Sequence, residues 1–490
     1  MNRYFRPSKL GIKASLLLAC ACLANAPAVF PQSSLQWSDS IVVATETAYI
    51  TAPRVALLTD GTPIVVWGVS SNPNKIWLSR LQNGAFSNPL SVLESPYLPS
   101  LFGFAGFDVA VSGDQVFMTF ERLQSGIFMT HSGDGGLSFD TPELVEGNPA
   151  GGYVTLSSIA VDGIGNPMVS YIRDKNGSKY QFRRSTDGGL SFLPPVEASA
   201  PAAGGAVCDC CTSDMLVSGD TVWLVFRNNN NNLRDIWVTR STDAGATFDI
   251  ATDMDDTDWT INVCPISGPQ MAQMGDSILT VWKSGAGGGS RVYGSSLHGG
   301  TMEQGWQFDF STSDTVVTIQ NQPDIAAQGD TVGVVFQENG REIVFAFSAT
   351  GAKGLNDQYY RFSLPEHFLQ FPTVVFRDGV FHLVYVDATS GQVLYRQGTV
   401  MPTVAAKEPM ADLVEVSVFP NPVSGNFFWI QSKSSDLLEW ALFDVFGKKY
   451  LTQKAGGYDA KIEMTGLTKG IYFLKIMTTK GEVVRKLIRN

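Results

Sequence analysis

Short apolar runs, each closed by an aromatic residue, recur along most of the chain: Val55–Trp67, Val109–Phe120, Ile159–Tyr171, Met215–Phe226, Met271–Trp282, Ile325–Phe336 and Val374–Tyr385. Most are interrupted once by a pair such as Asp60-Gly61, Gly113-Asp114, Gly219-Asp220, Gly275-Asp276, Gly329-Asp330 or Asp378-Gly379, which suits a tight hairpin. The closing aromatics at 67, 120, 171, 226, 282, 336 and 385 are 53, 51, 55, 56, 54 and 49 residues apart. A period near fifty, made of short strands, is that of a four-stranded propeller blade. The pattern therefore predicts an all-β chain with a seven-bladed β-propeller over 35–400, six blades being the alternative. The seventh unit runs out after three strands, near Arg396, while Trp37–Thr45 reads as one strand without a partner. Joining the two closes the ring and leaves no open edge. From Gly398 the text turns Pro/Ala-rich and non-periodic, and 401–413 reads as a linker. Alternating apolar residues then return over 414–490 and predict a small β-sandwich.

Composition narrows the function. With 48 Gly, 24 Pro and 17% charged residues, the chain is a turn-rich β protein. A net charge of −11 argues against a nucleic-acid partner, whose phosphates demand a basic surface. At the N-terminus Arg3, Arg6, Lys9 and Lys13 precede an apolar run, Ala14 to Ala24, and small residues follow. This is the layout of a secretory signal peptide over 1–26, with Ala24-Asn-Ala26 as a cleavage box. Lipidation at Cys20 is the other reading of that stretch. No further apolar segment is long enough to span a membrane.

Three octapeptides stand out: Ser132-Gly-Asp134-Gly-Gly136-Leu-Ser-Phe139, Ser185-Thr-Asp187-Gly-Gly189-Leu-Ser-Phe192 and Ser241-Thr-Asp243-Ala-Gly245-Ala-Thr-Phe248. In each, the Asp can accept from backbone N–H groups of its own turn and the Gly permits a positive φ. The pattern resembles the Asp-box (BNR repeat) of sialidase-like β-propellers. Asp134, Asp187 and Asp243 are then structural, in the turn between third and fourth strands and away from any ligand face. The C-terminal segments Val416-Ser-Val-Phe-Pro420-Asn-Pro422, Leu442-Phe-Asp444-Val-Phe-Gly447-Lys448 and Leu467-Thr-Lys-Gly470-Ile-Tyr-Phe-Leu-Lys475 resemble the C-terminal sorting domain of the type IX secretion system of Bacteroidota. That resemblance implies export, with the secretion machinery as a partner, to the medium or the outer cell surface.

The repeat register places the chemistry. Residues just before the innermost strands, Arg54, Asp108, Ser158, Asp214, Gln270, Asp324 and Thr373, face the channel mouth opposite the Asp-boxes. Those just past the second strands add Glu121, Arg122, Arg173, Arg227, Lys283 and Glu338. We read Arg54, Asp108, Asp214, Arg227 and Asp324 as candidate catalytic groups, and Glu121, Arg173 and Lys283 as candidate ligand contacts. A solvated rim of mutually paired charges accounts for the same residues. The sialidase resemblance implies three arginines on a substrate carboxylate, for which Arg54, Arg173 and Arg227 are available, but no Tyr/Glu nucleophile pair stands out.

Past the signal peptide four cysteines remain, Cys208, Cys210, Cys211 and Cys264. In an exported chain they predict disulfides. A 208–211 bridge with 210–264 is the least strained pairing, and a vicinal 210–211 bridge the most. A copper or zinc thiolate site is the alternative. Asp253, Asp255, Asp256 and Asp258 form an acidic loop that can take calcium or remain solvated. The expected function is recognition of an extracellular ligand, a glycan or other polymer. The alternative is a glycoside hydrolase of exo-sialidase type, or a lyase. A metal-dependent redox protein is a third reading, resting on the cysteines alone.

Overall fold

The computed structural model describes residues 33–51, 53–204, 206–310, 319–401, 416–433, 436–444, 448–479 and 481–490. The predicted signal peptide and all but the first residue of the predicted linker lie outside them. Contacts divide the chain into two compact units, one of them Ser33–Pro402 and the other containing the C-terminal module.

The larger unit is a β-propeller of seven antiparallel sheets. Their innermost strands are Arg54–Leu57, Phe107–Ser112, Tyr153–Val161, Asp214–Ser218, Gln270–Met274, Gln320–Gln328 and Leu369–Arg377. Each contacts the next, and the last returns to the first. The core lies in seven separate apolar clusters, one between each pair of neighbouring sheets. The second strands are therefore covered on both faces, which is why they read as unbroken apolar runs rather than as alternation. All seven closing aromatics are buried.

The ring closes through the N-terminus, with one difference from the sequence reading. Residues 37–45 are not one strand. Ser34–Trp37 and Ile41–Thr45 are two strands, and both pair antiparallel with Gln392–Met401. Gly398, read as the start of the Pro/Ala-rich stretch, is instead in that strand. It pairs with Trp37, whose ring lies where a Cβ at Gly398 would be, 2.9 Å away.

The Asp-boxes connect third and fourth strands in the second, third and fourth sheets. Asp134 accepts from Leu137 N (2.9 Å), Ser138 N (3.0 Å) and the hydroxyls of Ser132 (2.7 Å) and Ser138 (2.6 Å). Asp187 and Asp243 repeat this set on Ser185 and Ser191, and on Ser241 and Thr247. The box glycine is needed twice over. Gly245 has φ 82°, and a Cβ there would meet the Phe182 ring of the preceding sheet at 2.0 Å.

The C-terminal module is a sandwich. One sheet orders Val416–Phe419, Phe427–Ser432 and Asp459–Glu463; the other orders Lys449–Lys454, Leu437–Asp444, Gly470–Thr478 and Gly481–Arg489. Its own core includes Phe428, Trp440, Leu442, Leu474 and Ile476.

Candidate functional site

At the end of the channel opposite the Asp-boxes, the starts of the innermost strands surround a pocket of about 270 Å³. Arg54, Asp108, Asp214, Gln270, Asp324 and Thr373 all line it, joined by Gln322, Thr212, Ser267, Phe104 and Phe371. The repeat register thus brought one side chain from each of several sheets to a common mouth.

The three aspartates share a second role. Asp108 accepts from Ile159 N (3.0 Å), Asp214 from Met271 N (2.8 Å) and Asp324 from Val374 N (2.8 Å). In every case the donor belongs to the innermost strand of the next sheet, so each carboxylate latches one sheet to its neighbour. The remaining oxygens are engaged too. Arg54 Nε donates to Asp108 at 2.9 Å, while Met215 N and Ile325 N each donate at 2.8 Å to the preceding aspartate. Burial pushes the Asp214 carboxyl up to about 7 against the pull of Met271 N–H, with the charges of Asp108 and Asp324 adding to the rise. Burial raises Asp324 as well.

The backbone that shapes this mouth is irregular in a way the apolar pattern does not carry. Two positions before Ser158, Asp324 and Thr373, Leu156 (φ 51°), Gln322 (φ 54°) and Phe371 (φ 54°) are left-handed without being glycine. Each sits where the strand register slips, between Thr155 and Ser158, Asn321 and Asp324, and Gln370 and Thr373. These are bulges, and those at Gln322 and Phe371 bring their side chains to the pocket lining. Gln322 Oε1 accepts from Phe371 N at 2.7 Å, coupling two of them. Only Pro323 and Pro372 hinted at irregular strands.

The remaining candidates lie elsewhere. Arg227 is a correction: it is completely buried, and donates to the carbonyls of Arg234 (2.6 Å) and Lys283 (2.6 Å) with its guanidinium over the Trp259 ring. A cation so enclosed braces the fourth and fifth sheets and cannot meet a ligand in the pocket. Lys283 donates to Pro265 O (3.3 Å) and is not in the pocket lining. Glu121 is buried and accepts from Thr155 Oγ1 (2.5 Å) beside a separate groove that includes Phe102, Arg122 and Tyr153. Arg173, half-buried near the end of Pro167–Asp174, is not in the pocket lining either. The three-arginine clamp implied by the sialidase resemblance is therefore not assembled.

The cysteines converge. Cys210 and Cys264 are bridged, tying the connection before the fourth sheet to the one after it. The second bridge expected from the sequence is absent, and Cys208 and Cys211 are buried free thiols. Among the described residues, Cys208, Cys210 and Cys211 are the only three His, Cys, Asp or Glu donors converging within 4.8 Å. The carboxylates of the acidic loop at 253–258 do not gather in that way.

Comparison with known proteins identifies the C-terminal module. Residues 417–490 match the family described as secretion system C-terminal sorting domain. The protein is accordingly secreted or held at the outer cell surface, with the type IX secretion machinery as its partner in export. No curated protein matches the chain. Among solved structures it is similar to a protein of unknown function from Dyadobacter fermentans, at 10% identity over 75% of this chain and 100% of that one, TM-score 0.43. It is also similar to the polysaccharide lyase Uly1, at 11% identity over 76% and 98%, TM-score 0.46. The β-propeller domain of the trilobed protease from Pyrococcus furiosus aligns at 10% identity over 72% and 98%, TM-score 0.44. Similarity at this level sets no expectation about chemistry.

Proposed function

We propose that the protein is an exported recognition module that holds one sugar-sized unit of an extracellular glycan at the channel mouth. The observation that carries this reading is the state of the pocket aspartates. All three accept backbone N–H groups from the next sheet, and Asp108 is further held by Arg54. Carboxylates committed to the scaffold still offer lone pairs to ligand hydroxyls, but they are poorly placed to act as a mobile acid and base. Amides from Gln270 and Gln322, hydroxyls from Thr212 and Ser267 and the rings of Phe104 and Phe371 complete a lining suited to a sugar, which presents both hydroxyls and an apolar face. The pocket, about 270 Å³, is just below the roughly 300 Å³ at which drug-sized sites begin.

One observation favours the catalytic alternative. A carboxyl held at about 7, as Asp214 is, can give up a proton at neutral pH, which a glycosidase acid must do. A panel of neutral and acidic oligosaccharides separates the two. We expect saturable binding without release of reducing ends, weakened at least tenfold in Gln270→Ala. Turnover abolished by Asp214→Asn makes the protein a hydrolase, and a panel with no binder overturns both readings.

A further inference from the structure

We propose that Cys208, Cys210, Cys211 and Cys264 form a thiol–disulfide exchange centre that can release one wall of the channel-mouth pocket. Cys208 Sγ lies 3.5 Å from Cys210 Sγ, so a free thiol stands against an existing disulfide. Both free thiols are fully buried, whereas Cys210 and Cys264 are half-buried. The protein holds the trio firmly. Cys208 N donates to Arg227 O (2.9 Å), and the Tyr180 hydroxyl donates to Cys211 O (2.5 Å).

The two thiols have different roles. A hydrogen bond from Cys211 brings Cys208 down to about 7, against the opposing effect of burial, and Cys210 N–H, Arg227 and Arg234 add to the fall. Burial drives Cys211 the other way, so it remains the proton donor. The cations have reason to favour a thiolate here: Arg227 Nε and both Nε and Nη1 of Arg234 are buried without a hydrogen-bond partner. Cys208 is then the nucleophile. Its thiolate attacks Cys210 Sγ; the 208–210 bond forms as the 210–264 bond breaks. Cys264 leaves as a thiolate and takes up the proton that Cys208 had released. One disulfide and two thiols enter and leave, so no oxidant or reductant is consumed.

The consequence reaches the pocket. Ile266, Ser267 and Gly268 line it and begin two residues after Cys264, and Thr212 directly follows Cys211. A Cβ at Gly268 would meet Thr212 O at 2.3 Å, so the two connections are pressed together while the bridge is in place. Moving the bridge to 208–210 frees the 261–269 segment from the loop before the fourth sheet.

The test is acid-quenched alkylation of the purified full-length protein, followed by bridge mapping by tandem mass spectrometry. We expect both 210–264 and 208–210 bridges in the native protein, and 210–264 alone in Cys208→Ser. Hydrogen exchange over 261–269 should slow in that variant. Should Cys208→Ser fail to fold, Cys211→Ala keeps the nucleophile and removes its hydrogen-bond donor, and both bridges should persist with slower interconversion. A native protein carrying 210–264 alone, a fixed 208–211 bridge, or a soft metal ion on four sulfurs overturns the proposal.

Discussion

Aspartates of one chemistry are driven in opposite directions within this chain. Hydroxyl bonds from Ser191 and Ser185 and a backbone N–H from Ser191 hold the exposed Asp187 at about 2, while burial carries Asp214 to about 7. The consequence for stability has a definite sign. Between about pH 4 and 7 the folded protein keeps a proton on Asp214 that the unfolded chain has released, so the stability owed to Asp214 falls as pH rises through that window and is level above it. Buried His382, held at about 4, works the opposite way: its contribution is lost as pH falls from 6.5 towards 4. A difference curve isolates the first effect. Urea unfolding of Asp214→Asn should show stability rising relative to the native protein from pH 4 to 7 and then running parallel; a flat difference removes the assignment. The register of the repeat made Asp108, Asp214 and Asp324 legible as mouth residues, since position along a strand sets which end a side chain occupies. It could not reveal Arg227 as a brace, because the carbonyls and the ring that enclose it come from loops and a strand up to 56 residues away.

Two short strands carry the closure of the ring. Trp37 packs edge-on to Phe345 and Phe362 of the sixth sheet, each at 4.9 Å between centroids, and so holds Ser34–Trp37, paired with Gln392–Met401, onto the neighbouring sheet. Trp37→Ala should cost about 3 kcal/mol in urea unfolding, the range for an aromatic lost from a core. It should also expose a strand edge and produce dimers on size exclusion. Unchanged stability with a monomeric profile would show that Ile41–Thr45 closes the ring alone. The sequence carried the need for a closing strand, because the seventh unit was one strand short. It did not show the break between Trp37 and Ile41, nor the bulges at Leu156, Gln322 and Phe371. Those residues take a positive φ without being glycine, and no local propensity favours them.

Across the whole molecule, the two units each have a core of their own. A chain ending at 401 should therefore keep the propeller's melting temperature and lose export to the cell exterior, as read by calorimetry and by fractionation of cells and medium. A lowered transition would mean that the propeller depends on the C-terminal module. Fold class, repeat period, Asp-box turns and the sorting signal were all determined by the sequence itself, because each rests on residues close together in the chain or on a spacing repeated many times. What only the tertiary structure decided is which polar groups meet. The aspartate latches span 50 to 57 residues, the 210–264 bridge joins connections on either side of a sheet, and Cys208 faces that bridge rather than pairing with Cys211. Such contacts depend on how twisted sheets pack around a ring. That geometry emerges only when every sheet is in place.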